Sequence, residues 1–278
     1  MKKLSILILC SFITNVVCAE SENGVTRQEL HFSKERIQEL LDEQKKHPGV
    51  PPKYTPEEEY ELFGKDGLPS PNSGVKVEQF SAAGFKHGEA STIKKNINEF
   101  KRNGYIKKYN QNAVALSTIE QSAKEQFTSF ASYEDKPYDT RMRHTWKELV
   151  IAYNYKPIND NLIDKTIGFA PESTYIKTGW TGVVHFFVPK DKPFVCAYHE
   201  VSVPLTGTSA VLNQETTSYE INNKVTTIGI AGDLPSGFLY EMMWWDKDFR
   251  RQLQCSANNY SDSIKNKIIE LAKEIDNG

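Results

Sequence analysis

The sequence predicts an α+β fold: a meander of about six antiparallel strands over roughly residues 147–257, with helices packed on it and a C-terminal helix. Helical periodicity dominates the first half of the chain and its last segment, whereas apolar and polar residues alternate between residues 178 and 257. Turn-forming residues separate the alternating runs. Helices, then strands, then a closing helix is the order expected for one antiparallel sheet and not for repeated βαβ units.

The start of the chain has the organisation of a secretory signal peptide. Two lysines precede a largely apolar stretch from Leu4 to Val17, and Ala19 ends a small-residue cleavage site. The stretch is too short for a comfortable membrane span, and the valine before Cys18 argues against lipoprotein processing. We therefore expect residues 1–19 to be removed. The mature protein, without a transmembrane segment, would be exported to the periplasm or the medium of a bacterium.

The charge balance argues against one broad class of partner. The chain has 34 basic and 36 acidic residues, for a net charge of −2 with neutral histidines. Cleavage after Ala19 removes two lysines and no acid, which leaves 32 basic residues against 36 acidic ones. A mildly acidic chain is a poor general binder of nucleic acid, so we do not expect a nucleic-acid partner.

The cysteines predict one disulfide bond. Cys10 and Cys18 leave with the signal peptide, so Cys196 and Cys255 are the pair that remains in the mature chain. Pairing is the expected state of two cysteines in an oxidising compartment. Closing a loop of about 60 residues is worth roughly 4 kcal/mol in the chain-entropy account.

The helical part of the sequence divides into an arm and the start of a domain. Residues 20–75 predict a helical N-terminal arm that ends in the Pro/Gly/Ser-rich linker KDGLPSPNSG. The N-caps of the two helices predicted in this arm are Ser33 and Thr55. Residues 76–278 form the predicted α+β domain. Its first part, about residues 76–135, is helical in pattern, with Gly104 ending one helix and a capping box at Ser117 starting another.

The strand region starts with alternating apolar residues at 149–155 and continues as three hairpins. Prolines bound the first connection, Asn222 and Asn223 tolerate the positive φ of a tight second turn, and aspartates flank the third. The hairpins join 180–188 to 194–203, 209–221 to 224–232, and 237–245 to 249–257. An amphipathic helix over residues 261–275 closes the chain.

The segment EMMWWDKDFRRQLQC, residues 241–255, is the most unusual stretch of the sequence. We interpret it as a hairpin whose first strand is apolar, and therefore covered, on both faces, with its aspartates in the turn. Trp244 and Trp245 would then point to opposite faces, although a ligand platform built on them is the alternative. An inward-facing Arg251 must be paired, with Glu241 as the candidate partner, or must face a ligand.

A basic segment with interleaved tyrosines is the best sequence signal of a recognition surface. Residues 93–110 carry six basic side chains against one acid. The candidate ligand-binding residues here are Lys94, Lys95, Lys101, Arg102, Tyr105, Lys107 and Lys108. A second basic segment, RMRHTWK at residues 141–147, would extend the surface. The expected ligand is an anionic lipid, a polyanionic glycan or, locally, nucleic acid; a solvated helix face is the alternative.

Recognisable catalytic motifs do not occur. Cys196 lies near His185 and His199 in the first predicted hairpin, but a disulfide consumes the thiol that a nucleophile needs. The histidines lack metal-ligand spacing, the serines lack a nucleophile elbow, and no phosphate-binding loop is present. We therefore assign no catalytic residue, no metal and no cofactor. Carboxylates for general acid/base catalysis are invisible to spacing, and the candidates are Glu200, Asp233, Glu241, Asp246 and Asp248.

These observations favour an exported protein that binds and does not catalyse, of a secreted effector type, which recognises a macromolecular or glycan partner. The partner would be a protein, a glycan or an anionic surface. Two alternatives stay open: a secreted hydrolase with carboxylates as general acid and base, and an envelope assembly component that docks through residues 20–75. An enzyme would gather pKa-shifted acids in a concave pocket, whereas a binding protein would expose an aromatic or basic patch.

Overall fold

The computed structural model describes residues 34–46, 74–79, 89–123 and 140–278. The predicted signal peptide and the helix predicted from Thr55 lie outside these residues. The α-helices are α1 (Lys34–Lys46), α2 (Glu89–Asn103), α3 (Gln111–Ser117), α4 (Val203–Thr206) and α5 (Asp262–Asn277). Residues 119–123 are also helical, and short 3₁₀ helices cover Trp146–Glu148, Asp160–Leu162 and Gln214–Thr216. Among the helices described, none is long and apolar enough to cross a membrane.

Most of the strands belong to one large sheet. The strands are β1 (Gly74–Glu78), β2 (Ile106–Lys107), β3 (Ile163–Ile176), β4 (Gly179–Pro189), β5 (Val195–Ser202), β6 (Ser209–Asn213), β7 (Thr217–Ser218), β8 (Val225–Asp233), β9 (Gly237–Trp245) and β10 (Phe249–Ala257). Eight of them form a sheet of order β2-β8-β9-β10-β5-β4-β3, in which β7 also pairs with β8. Its pairs are antiparallel except β2–β8. The predicted α+β fold is confirmed, with a larger sheet than expected.

Two local meanders make up the centre of the sheet. Strands β3, β4 and β5 follow one another through antiparallel pairs, as do β8, β9 and β10. The pairing of β5 with β10 joins them over eight residue pairs. Segments far apart in the chain therefore meet in the middle of the sheet, where side chains are covered on both sides.

Alternation along the strands creates two covered faces. The α5 face carries Tyr240 and Trp244 in one apolar cluster with α5. The α3 face carries Leu239 beneath α3, and Trp245 beside α4 and β6. The expectation that β9 is buried on both sides is confirmed, because an apolar strand surface requires cover wherever it occurs.

The predicted C-terminal helix is confirmed as α5. Ser261 is its N-cap, and the hydroxyl oxygen accepts a hydrogen bond from the main-chain N–H of Ile264 at 3.1 Å. Its buried residues are Ile268, Ile269, Leu271, Ala272 and Ile275. Burial of each large aliphatic side chain contributes about 1.5–3 kcal/mol. This apolar stripe holds α5 against the sheet.

The strand predicted at 149–155 is wrong. Within that segment only Ile151 forms a bridge, to Trp180, and the rest of the backbone is irregular. The edge of the sheet is formed instead by β3, which pattern analysis missed because Gly168 and Pro171 interrupt it and its register shifts three times. Tyr155 packs into the apolar cluster of the α5 face from an irregular backbone, which accounts for the strand-like pattern.

The second predicted hairpin is correct at its turn and wrong along most of its first strand. Asn222 and Asn223 have φ angles of 48° and 60°, the positive values expected of them. Of residues 209–221, however, only β7 pairs with β8, while β6 forms a parallel pair with β1. A parallel partner so distant in the chain leaves no local signal in the sequence.

The helix predicted from Ser117 occurs at residues 119–123, but Ser117 itself ends α3, so its role as the starting residue is wrong. The N-cap of α3 is Asn110, whose side-chain oxygen accepts from the main-chain N–H groups of Asn112 and Ala113. Its amide group donates to the carbonyl of Ala231 in β8 at 2.9 Å. This one buried asparagine therefore both caps α3 and fixes it to the sheet.

The predicted disulfide is confirmed. Cys196 of β5 lies directly opposite Cys255 of β10, and the two Cα atoms are 4.1 Å apart. Both side chains are fully buried in the α5 face. The bond thus joins the two meanders at their shared strand pair.

Replacement of both Cys196 and Cys255 by alanine should lower the free energy of unfolding by about 3–4 kcal/mol, because it releases a loop of 59 residues in the unfolded chain. Urea denaturation with and without a phosphine reductant measures this loss. Reductant should shift the wild-type midpoint toward that of the double variant and leave the variant unchanged. Equal midpoints of the wild type and the double variant in the absence of reductant would contradict the prediction.

Candidate functional site

A surface groove lies where the C-terminal end of α2, strand β2, the β8–β9 turn and the segment before α5 meet. Its volume is about 310 Å³. The residues that line it are Tyr105, Lys107, Asp233, Leu234, Phe238, Asn259 and Tyr260. We call it the aromatic groove. Two of the predicted ligand-binding residues, Tyr105 and Lys107, belong to it.

Three aromatic rings give the groove a fixed shape. Phe238 is buried at its base, and the ring of Tyr105 meets it edge-on with centroids 5.1 Å apart. Tyr260 lies 4.9 Å from Tyr105 and is stacked parallel on Tyr240 behind it. Tyr105 and Tyr260 are half-buried, so part of each side chain stays available to a ligand.

Gly104 determines where Tyr260 can lie. Gly104 ends α2 with a φ of 79°, a backbone conformation that residues other than glycine rarely adopt. A Cβ atom at this position would also collide with the hydroxyl oxygen and ring of Tyr260. Glycine is therefore required both by the backbone and by the packing of the groove wall.

The polar groups of the groove differ in their availability. Asp233 accepts hydrogen bonds from the N–H and the hydroxyl of Ser236, which hold its pKa below the usual range. Tyr260 donates a hydrogen bond to Asp262 at 3.0 Å. Partial burial and, to a smaller extent, this hydrogen bond raise the pKa of Tyr260. Lys107 is exposed, and its ammonium group has no hydrogen bond or ion pair within the described part of the chain. Lys107 is thus the cation that a ligand in the groove would meet.

The basic residues of α2 form one exposed stripe. Residues seven apart on an α-helix lie within about 20° of each other around its axis. Lys94 is therefore aligned with Lys101, and Lys95 with Arg102, on two adjacent exposed rows. We call these four residues the basic stripe, and it leads along α2 to the aromatic groove. Lys108 is half-buried and does not line the groove. Burial lowers its pKa, and attraction to Glu241, on the α3 face, opposes that effect.

The second basic segment does not extend this surface, contrary to expectation. Arg143 pairs with Phe169 of β3 at one edge of the sheet, whereas the groove lies beside β2 at the other. Six strand spacings of ~4.8 Å separate the two edges, or about 29 Å. Lys147 lies over the ring of Trp146 at 5.9 Å.

The two adjacent tryptophans point to opposite faces of the sheet, as the hairpin interpretation predicts, and both are buried, so the alternative of a shared exposed platform is wrong. Trp244 is fully buried in the α5 face, where its indole N–H donates to Asp276 at 2.8 Å. Trp245 is 3% exposed and lies on the α3 face. Successive residues of a strand point to opposite sides of a sheet, so the adjacent pair is separated by the backbone itself.

Arg251 is paired, but its predicted partner was wrong. Its guanidinium donates to Glu200 at 3.0 Å and to Asp246 at 2.6 Å. The register places Arg251 opposite Trp244 on the α5 face, whereas Glu241 is on the α3 face and accepts a hydrogen bond from Gln254. The sheet therefore lies between Arg251 and the partner proposed for it.

The Arg251 cluster shifts the pKa values of its acids in opposite directions. Burial raises the pKa of Glu200, although Arg251 and a hydrogen bond from Tyr198 partly offset it. Burial also acts on Asp246, but hydrogen bonds from Arg251 and from the turn outweigh it and lower the pKa to about 2. Asp246 accepts hydrogen bonds from the main-chain N–H groups of Asp248 and Phe249. The expectation of local hydrogen bonds in this turn is confirmed.

A second charged cluster, on the α3 face, was not predicted. Glu172 of β3 accepts a hydrogen bond from Arg250 at 3.0 Å and lies 3.0 Å from Nδ1 of His199. Burial acts to raise the pKa of Glu172, but attraction and hydrogen bonds from His199 and Arg250 lower it on balance. Sequence analysis missed this cluster because β3 was not recognised, so Glu172 had no assigned face.

The remaining candidates for catalysis do not converge. Asp233 lies at the groove, Glu241 on the α3 face, and Glu200 and Asp246 on the α5 face around Arg251. Burial lowers the pKa of His185 to about 3, and this histidine contacts Thr166 and Phe169. Cys196 is held in the disulfide. No group of three or more possible metal ligands occurs in the described ranges.

Comparison with known proteins adds no relative. No protein family matches the chain, and neither a curated protein nor a solved structure matches it significantly. The chemistry of the groove and of the charged clusters is therefore the basis for a proposal.

Substitution of Gly104 by alanine should destabilise the fold by about 1–2 kcal/mol or more, because it combines a positive φ with a collision against Tyr260. Gly237 is the control closest in backbone conformation, since its φ is 73°, and a Cβ atom there would approach the Ala257 carbonyl oxygen only to 3.0 Å. Urea denaturation of both alanine variants measures the difference. A Gly104 variant no less stable than the Gly237 variant would contradict the role of Tyr260.

Asp246 should make stability depend on pH. Its pKa is about 2 in the folded protein, against about 3.9 in unfolded chains. Its contribution is therefore full above pH ~4 and is lost as the pH falls toward 2, amounting to about 1 kcal/mol after solvent screening. Replacement by asparagine should lower the free energy of unfolding at pH 6, and this loss should be about 1 kcal/mol smaller at pH 2.5.

The matched control is Asp248→Asn, an exposed aspartate in the same turn. Urea unfolding of both variants and of the wild type at the two pH values makes the comparison. A stability difference for Asp246→Asn that stays constant with pH would contradict the assignment.

Proposed function

We propose that the protein is an exported binding protein that recognises an acidic glycan through the aromatic groove and the basic stripe. The observation that carries the proposal is the juxtaposition of half-buried Tyr105 and Tyr260 with the exposed ammonium group of Lys107, which forms no hydrogen bond or ion pair within the described residues. Aromatic rings offer apolar faces to the C–H surfaces of a sugar, and an ammonium group attracts a carboxylate or sulfate.

The dimensions of the groove suit one sugar residue of a longer chain. Its volume of about 310 Å³ is at the lower end of the usual range for small-ligand sites, ~300–1,000 Å³. Its fixed aromatic walls reduce the entropy lost when a ligand binds. A groove of this kind supports recognition of a sugar unit better than capture of a folded protein.

The basic stripe supplies the second part of the proposed site. From Lys94 to Arg102 the helix rises by about 12 Å, so neighbouring acidic units of a polysaccharide would follow α2 away from the groove. The nearby acids are engaged within the protein: Glu99 accepts from the main-chain N–H of Lys107, and Asp233 from Ser236. Both acids keep their negative charge, but the four cations of the basic stripe and Lys107 outnumber them on this surface.

Export follows from the predicted signal peptide, and an acidic glycan is a ligand found outside the cytoplasm. The secreted, effector-type interpretation rests on the same expectation. The hydrolase alternative receives less support, because Glu200 and Asp246 converge on Arg251 and not on an open groove. Nothing in the described residues favours the assembly alternative.

Lys107→Glu should weaken binding of the mature protein to an acidic polysaccharide, such as polygalacturonate or heparin, by tenfold or more. Lys147→Glu is the matched control, because it makes the same charge change at the opposite edge of the sheet and should bind like the wild type. Tyr105→Ser should weaken binding similarly while Lys107 is retained. Isothermal titration calorimetry measures all four proteins.

The salt dependence distinguishes an acidic from a neutral ligand. The association constant should fall at least about tenfold between 50 and 200 mM salt, because several cations contact the polyanion. Neutral dextran should not bind at all. Salt-independent binding to dextran would show that the charge assignment is wrong, and the absence of salt-sensitive binding across the acidic panel would refute the proposal.

A further inference from the structure

The lining of the aromatic groove carries charges of both signs beside its aromatic rings. Lys107 of β2 and Asp233 at the end of β8 belong to it, and so does Asn259, which follows β10. Phe238 of β9 lies between them in the strand order. Aromatic rings and a cation account for the attraction of an acidic sugar. An acid in the same lining opposes that attraction, so its presence needs a separate explanation.

The strand register makes the cation and the acid neighbours. Lys107 pairs with Gly232, the residue before Asp233, and adjacent strands are about 4.8 Å apart. Attraction to Lys107 is one of the effects that lower the pKa of Asp233, after the hydrogen bonds from Ser236. No ion pair joins the two side chains within the described part of the chain. Each charge is therefore available to a different group of one ligand.

Asp233 is held in place through one of its two oxygens. Oδ1 accepts hydrogen bonds from the main-chain N–H of Ser236 at 2.9 Å and from its hydroxyl at 2.6 Å. Ser236 is itself buried, and its hydroxyl oxygen accepts from the main-chain N–H of Asn110. Oδ2 of Asp233 accepts no hydrogen bond from the described residues. The fold thus fixes a carboxylate whose second oxygen stays free to accept.

A fixed carboxylate oxygen discriminates between the groups that a sugar can carry. A hydroxyl group can donate to it, and hydrogen bonds to an ionised acceptor are the stronger kind. A sulfate group has no proton to donate and would place a second negative charge against the first, which lowers affinity. Asn259, an exposed amide, can both donate and accept, so it does not discriminate in this way.

We propose that Asp233 makes the aromatic groove selective for a uronic acid unit with free hydroxyl groups over a sulfated sugar unit. The inference rests on the acidic-glycan function proposed above and names the class of acidic unit. The carboxylate of the unit lies at Lys107, and one of its hydroxyl groups donates to Oδ2 of Asp233. The sugar ring lies against Tyr105 and Tyr260. Asp233 therefore both attracts the matching unit and repels the sulfated one.

Asp233→Asn tests the inference, because the two classes of ligand should respond in opposite directions. Asparagine keeps an oxygen for Ser236 but removes the negative charge. Affinity for polygalacturonate should fall about fivefold or more, since a charge-assisted hydrogen bond becomes a neutral one. Affinity for the same polymer after chemical O-sulfation should rise at least about threefold, because a repulsion is removed. Isothermal titration calorimetry of the intact mature protein measures both affinities.

The matched control is Asp248→Asn, which makes the same change in the β9–β10 turn, at the other end of β9. It should alter neither affinity. If Asp233 acts only as a repulsive charge, Asp233→Asn binds both polymers more tightly than the wild type. That result, or an equal loss of affinity for both polymers, would overturn the selectivity and leave the acidic-glycan function intact. Absence of binding of either polymer to the wild type would refute the function itself.

A second arm uses only the wild-type protein and so decides the question even if Asp233→Asn does not fold. Acetylation of the ring hydroxyl groups of polygalacturonate removes their protons and keeps every carboxylate. Affinity for the acetylated polymer should be at least about fivefold lower than for the unmodified one, because Asp233 then has no donor. Equal affinity for the two polymers would overturn the inference.

Discussion

The pairing of β5 with β10 is the interaction on which the rest of the structure depends. It joins two meanders that are each local in sequence, and it carries the disulfide between Cys196 and Cys255. Both charged clusters are built across it as well, with Glu200 and Arg251 on one face and His199 and Arg250 on the other. A shift of this pairing by one residue would exchange the faces and break all three features together.

Two consecutive arginines, Arg250 and Arg251, form ion pairs on opposite faces of the sheet. Arg251 meets Glu200 and Asp246, so its buried charge is matched by acids on its own face. Arg250, one residue earlier, pairs with Glu172, and within the described part of the chain its Nε atom is buried without a hydrogen-bond partner. Breaking a matched buried pair is costly, whereas an unmatched donor already carries its cost in the free state. Arg251 therefore ties β10 to β5 and to the β9–β10 turn, whereas Arg250 ties β10 to β3 through Glu172.

The parts of the fold that were predictable are those with local signals. The hairpins β4–β5 and β9–β10, the helix α5 and the disulfide follow from alternation, turn residues, capping and cysteine count. Strand β3 was missed because an edge strand with proline and bulges need not alternate. The β1–β6 pair and the position of Glu172 depend on long-range contacts, which a single sequence does not encode in any short pattern. Of the candidate sites, Tyr105 and Lys107 were found from composition, while Glu172 could not be.

The groove exists because β2 is so short. Its two residues pair with Ala231 and Gly232 at one end of β8, while β7 covers the other end of the same edge. Gly232 permits the close approach of the following turn, because a Cβ there would collide with the carbonyl of Gly237. The exposed turn residue Leu234 and the half-buried Tyr105 both line the groove beside this short edge. A longer β2 would cover more of the β8 edge. Because β2 has only two residues, the edge stays open as a shallow surface lined by aromatic side chains, and Lys107 of β2 lies at its rim.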